Sequence, residues 1–261
     1  GIDDNADATA ITIDSAENIG IGTTPESHHA NWTAIDFGDQ GGLAHYDGGA
    51  TSLSTNLYHD GSWKAKETGT SSRYEIGAGG THNFYSGASA SADAAVTLTN
   101  TLSIDANGHV TMPKQSSFLA SFSTANTNIA LNSAVHQYFD TEVYDINGDY
   151  ASNTFTAPVT GKYFLQVRVR VDNIPTDAAY MWFYIQTSNR VHSIDFFDPD
   201  NFDGGGIYYT AQGSIVADMD ASDTATFNIH QSGGTQQTDL ISGFFSGHLL
   251  GLCQGLYQGF G

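Results

Sequence analysis

At 261 residues the chain is long enough for one large domain or two modest ones, and it can bury a proper core. Eight Lys and Arg against 28 Asp and Glu give a formal charge of −20, which opposes binding to nucleic acid or anionic membranes, both polyanions themselves. A single Cys (Cys253) excludes an intrachain disulfide framework, and no run of about 18 apolar residues offers a membrane-spanning helix.

The opening Gly1-Ile2-Asp3-Asp4-Asn5 reads as the middle of a longer chain, so a C-terminal fragment is expected. Ala10-Ile11-Thr12-Ile13-Asp14 alternates, Ser15-Ala16-Glu17-Asn18 turns, and Ile19-Gly20-Ile21-Gly22 returns. The unit recurs as Leu102-Ser103-Ile104-Asp105, a turn at Ala106-Asn107-Gly108, and His109-Val110-Thr111-Met112; Asn-Gly between alternating runs is a strong hairpin signal. Between these hairpins, residues 26–100 are dense in Gly, Ser, Thr, Asn and aromatics. Short strands are expected at 33–37, 52–58, 72–76, 83–85 and 96–98, with turns at Gly41-Gly42, Gly48-Gly49 and Gly79-Gly80. Few large aliphatic residues make a poor private core. The segment is therefore expected to associate with copies of itself, burying Trp32, Trp63 and Phe84 between chains. The stretch Ile11 to Pro25, ITIDSAENIGIGTTP, resembles repeats of bacteriophage tail-fibre and tail-spike proteins. That resemblance implies a shaft or shoulder domain over residues 1–113, in an extracellular virion component joined to other tail proteins on its N-terminal side.

Met112-Pro113-Lys114-Gln115 is the expected joint, and strands then follow at short spacing from Phe118 to Leu250 with no helical pattern. One strand is expected to run from Val135 to Val143. Tyr163, Leu165, Val167, Val169 and Val171 alternate with Gln166, Arg168, Arg170 and Asp172, a strand with one dry face and one wet one. Phe139, Asp145, Tyr150 and Phe155, followed by Gly161-Lys162-Tyr163, are spaced as in the complement-q globular head, which this segment resembles. The late stretches Met219 to Ala225 and Phe245 to Leu250 resemble that family's last strands. The resemblance covers about residues 117–251. It departs from the pattern in a Tyr150 to Phe155 gap two residues short, and in Leu165 and Val167, where the family prefers Phe and an aromatic. It implies an all-β jelly-roll head over 114–251, shared with tumour necrosis factor and homotrimeric, followed by an extension at 252–261. It also implies a fold and trimer core built on Phe139, Phe155, Gly161, Tyr163, Trp182, Tyr184, Phe245 and Gly247.

Candidate chemistry lies in the loops. Tyr144, Asp145, Asn147, Asp149 and Tyr150, with Phe197, Asp198, Asp200, Asn201, Phe202 and Asp203, are the candidate receptor contacts, combining acceptors with stacking rings. Asp145-Ile146-Asn147-Gly148-Asp149 lacks the Gly and the closing acid of a calcium-binding helix-loop-helix. Clustered oxygen ligands nevertheless make calcium the one cofactor to consider, with candidates Asp198, Asp200, Asp203, Asp218 and Asp220. Histidines show no zinc spacing, Glu is scarce, and neither a G-x-S-x-G elbow nor a phosphate loop occurs, so binding without catalysis is expected. The expected function is attachment of a virion, through distal loops of a trimeric head, to a host cell-surface glycan or protein. A bacterial or secreted adhesin and a purely structural trimerisation clamp remain open alternatives.

Overall fold

The computed structural model describes residues 10–202 and 207–252. Contacts divide the chain into two compact units, Gly1–Lys114 and Gln115–Gly261.

The first unit contains β1 (Ile11–Ile13), β2 (Ile19–Ile21), β3 (Trp32–Phe37), β4 (Gly41–Tyr46), β5 (Ala50–Thr55), β6 (Tyr58–His59), β7 (Trp63–Lys64), β8 (Gly69–Ile76), β9 (His82–Ala90), β10 (Leu98–Ile104) and β11 (Val110–Thr111). Nine of these form one sheet in the order β1-β2-β3-β4-β5-β8-β9-β10-β11, and β6 pairs with β7. The two repeated hairpins are therefore the two edges of the sheet. Each turn is closed the same way: Asp14 accepts from the backbone N–H groups of Ala16 and Asn18 (both 2.9 Å), and Asp105 from those of Asn107 and His109 (2.8 and 2.9 Å).

Alternation gives this sheet two unlike faces. Ala34, Ala44, Ser52, Ser54, Ser71 and Arg73 point to a side buried beneath Leu57, Ala65 and Val96. That small apolar cluster is supplemented by a buried ion pair, in which the Lys66 ammonium donates to Asp36 (2.5 Å) and to the Gly41 carbonyl (2.7 Å). The opposite face carries one row of cross-strand partners, Ile13-Ile19-Ile35-Leu43-Leu53-Tyr74-Phe84-Leu102.

Two expectations are corrected here. Gly41-Gly42 is not a turn but opens β4, because the reversal comes at Gly38-Asp39-Gln40, and a Cβ on Gly42 would lie 2.9 Å from Ser54 Oγ. Trp32 and Trp63 pack against each other within the chain (ring centroids 5.2 Å apart), on the side of the sheet covered by Leu57, Ala65 and Val96. There the Arg73 guanidinium lies over Trp63 (4.4 Å) and Tyr85 (4.7 Å).

The second unit contains β12 (Ser117–Ser121), β13 (Ala134–His136), β14 (Thr141–Asp145), β15 (Tyr150–Ala151), β16 (Thr154–Thr156), β17 (Gly161–Ile174), β18 (Ala178–Thr187), β19 (Val191–Phe197), a 3₁₀ turn (Pro199–Asn201), β20 (Ile207–Met219), β21 (Thr224–Gly233) and β22 (Asp239–Leu252). Two sheets, β14-β12-β22-β17-β20 and β15-β16-β21-β18-β19, make a jelly-roll sandwich. The strand expected over 135–143 is two, β13 and β14, because Gln137 to Asp140 leave the ladder and bury Phe139.

The dry side of β17 (Tyr163, Leu165, Val167, Val169 and Val171) meets Met181, Phe183 and Ile185 of β18 and Phe227 and Ile229 of β21 across the core. Phe139, Phe155, Tyr163 and Phe245 sit inside it. Gly161 and Gly247 are places where a side chain would not fit: a Cβ on Gly161 would meet Leu249 at 2.7 Å, and one on Gly247 would meet Leu165 at 2.6 Å. β18 is aromatic on both faces, and Trp182 and Tyr184 lie opposite Met181, Phe183 and Ile185, facing away from the core between the two sheets.

Candidate functional site

Strand direction sorts the connections of the second unit into two poles. The first strand of this unit starts at Ser117, paired with His248, and its last described strand finishes at Leu252, paired with Gly161. This is the base pole. Because β17, β20 and β22 run almost the length of the sandwich, the Asp172–Asp239 and Ile174–Ile207 pairs mark the opposite, distal pole. Successive long strands then alternate in direction, so the 175–177 and 233–238 connections and the stretch 198–202 are distal. The 146–149, 188–190 and 220–223 turns belong to the base.

The candidate contacts are thereby separated. Tyr144, Asp145, Asn147 and Asp149 lie at the base, where Ile146 N–H donates to the Ser117 carbonyl. Asp145 is engaged in closing its own turn, accepting from the N–H groups of Asp149 (3.1 Å) and Tyr150 (2.8 Å). Tyr150 is corrected outright. It is buried, stacks on Phe118 with ring centroids 4.9 Å apart, and donates its hydroxyl to the Phe139 carbonyl (3.2 Å). Burial and the nearby Glu142 and Asp140 raise its pKa. Phe197 is also a packing residue, on Phe183 and Tyr209, because the Phe196-Phe197 pair splits between the two faces of β19.

Asp198, Asp200, Asn201 and Phe202 do reach the distal pole, and Asp203 lies outside the described residues. Asp198 caps the 3₁₀ turn by accepting from Asp200 N–H (3.0 Å). The calcium candidates cannot act together: Asp198 and Asp200 are distal, whereas Asp218 and Asp220 are at the base, where Asp218 pairs with Arg190 (2.8 Å). Among the described residues, no group of three or more His, Cys, Asp or Glu side chains is arranged to hold a metal ion.

Around the distal candidates the structure adds residues that sequence reading did not single out. Asp177 accepts from the Thr235 N–H (3.0 and 3.1 Å), which holds its carboxyl below the ordinary value. Asp239 joins two loops, accepting from Asn128 N–H (2.7 Å) and from the Asn173 amide (2.8 Å), and the Gln237 amide donates to the carbonyls of Asn128 and Ile129 (both 3.2 Å). These ties join three chain segments, 128–129, 173–177 and 235–239, and hold the pole in one arrangement. Thr176, Asp177, Ala178, Ala179, Asp198 and Asp200 line a shallow cleft of about 320 Å³ on it. Beside the cleft, Phe202 packs edge-on to Phe197 (5.5 Å). It rests near Tyr209, whose pKa is pushed up to about 12 by burial and by donation to Asp195 (2.5 Å). The arrangement offers carboxylate acceptors and an aromatic edge on a hydrogen-bonded frame, a surface suited to groups that donate hydrogen bonds.

A sequence-family model described as the C1q domain matches residues 117–250. Among solved structures, the globular domain of the zebrafish complement 1qA protein is similar at 16% identity and a TM-score of 0.40, covering 53% of this chain and 99% of that one. Murine APRIL is similar at 14% identity and a TM-score of 0.37, over 52% of this chain and 100% of that one. The Eiger TNF of S. frugiperda is similar at 12% identity and a TM-score of 0.34, over 56% and 98%. No curated protein sequence matches the chain.

Proposed function

The chain belongs to the C1q domain family, whose members often form trimers and bind ligands, and from that premise we propose that it is the receptor-binding tip of a bacteriophage tail fibre. It works as a homotrimer on the virion surface, outside the cell, with other tail proteins on its N-terminal side. The observation that carries this reading is the polarity of the head. The start of its first strand and the finish of its last described strand both lie at the base pole, which points the distal loops the other way, toward a cell. The tail-fibre-like Ile11 to Pro25 segment supports the same role.

Contact is binding without chemistry. Asp177, Asp198 and Asp200 accept hydrogen bonds and repel anions, so a neutral, hydroxyl-rich glycan fits the pole better than a sialylated or sulfated one. Single contacts of this kind are weak. Three copies on one axis raise the effective concentration of the second and third contacts, so weak sites add up to firm attachment.

The test is a neutral-glycan array and a cell-adsorption assay with the full chain. Replacing Asp200 and Asn201 by Ala is expected to cut retention at least tenfold with an unchanged melting temperature, while Tyr144→Ala at the base leaves it intact. Retention that survives replacement of every distal loop overturns the reading.

A further inference from the structure

We propose that the bare face of the nine-stranded sheet is where copies of this chain meet, giving the N-terminal unit a self-association surface of its own. The inference rests on the trimeric reading above and assigns a surface to it. A sheet buries at least one face, and in this unit the buried face is the one beneath Leu57, Ala65 and Val96. The other face carries the larger side chains and leaves them bare: Ile13 is 67% exposed, Leu53 52% and Phe84 40%.

Size and charge identify the occupant. The row of apolar partners crosses eight strands, which at about 4.8 Å per step spans roughly 34 Å. With the flanking rows, about 7 Å to either side, the face amounts to roughly 500 Å² of flat area, more than half of the ~800 Å² that each partner contributes to a standard protein interface. No Asp, Glu, Lys or Arg projects onto these three rows, in a chain whose formal charge is −20. Identical acidic chains repel one another over most of their surfaces, and this face is free of that repulsion. Three units tethered to one trimeric head meet at high effective concentration, which favours a copy over any free partner.

Thiol labelling of the full chain tests this in a Cys253→Ser background, with Leu53→Cys or Leu43→Cys on the face and Asp47→Cys, on an exposed turn, as the reference. Sedimentation gives the mass of each sample. An assembled mass with both face positions labelled at least tenfold more slowly than the reference is the expected result. An assembled mass with equal rates overturns the inference and leaves the head trimer standing. A single-chain mass with equal rates overturns both. A single-chain mass with slow labelling also overturns the inference, since the face is then covered from within one chain.

Discussion

Asp36 and Lys66 do in the first unit what aliphatic side chains do in the second. Both are buried, and the carboxylate also accepts from Glu26 N–H (2.8 Å) and faces His28 Nε2 (3.2 Å), so the pair has the extra partners a buried charge needs. Burial works to raise the Asp36 pKa, but the hydrogen bonds from His28 and Lys66 outweigh it and hold the group below the ordinary carboxylate value. A depressed carboxylate contributes stability that is complete above its unfolded pKa of about 3.9 and is lost as pH falls through the folded value. Asp36→Asn strands the Lys66 charge and is expected to cost about 3–5 kcal/mol at neutral pH. Urea unfolding followed through Trp32 and Trp63 measures it. The gap between the native chain and the variant should narrow below about pH 4. A gap that stays constant across the range would contradict the assignment.

At the scale of the strand, the sandwich depends on how closely β12, β22 and β17 approach. A Cβ added to Gly247 would lie 2.6 Å from Leu165 Cδ2, 2.9 Å from Phe118 Cε1 and 3.0 Å from the Phe164 carbonyl. Gly247→Ala is expected to cost about 1–3 kcal/mol through overpacking and to lower the melting temperature of the head by several degrees. Gly251→Ala, four residues on, meets nothing within 4 Å and should leave the head unchanged. Calorimetry on the two variants separates these outcomes.

The strands themselves were legible because the period of two is plain where one face is dry, as along Tyr163 to Val171. It failed at Gly41, where the sheet needs a residue without a side chain and composition suggests a turn. The separation of Asp145 and Asp149 from Asp198 and Asp200 was latent in the sequence. Alternating strand direction puts every other connection at the same pole, so counting strands from the shared ends would have found it. That count also selects Asn173 to Asp177 and Gly233 to Thr238 as distal. The ties that hold this pole, such as Asp239 to Asn128 and Asn173, join residues far apart in the chain and follow no local pattern.

For the whole molecule, the proposal is that three copies are needed, each contributing a bare sheet face from its first unit and a distal pole from its second. A trimer of the chain would present three distal poles, each stiffened by its own hydrogen bonds. Binding strength then comes from multiplicity, with each polar cleft contributing little alone. The measurement that bears most directly on this is the molar mass of the full chain by sedimentation equilibrium over a wide concentration range. The account predicts three chain masses, independent of concentration across that range. A stable species of one chain mass would contradict it.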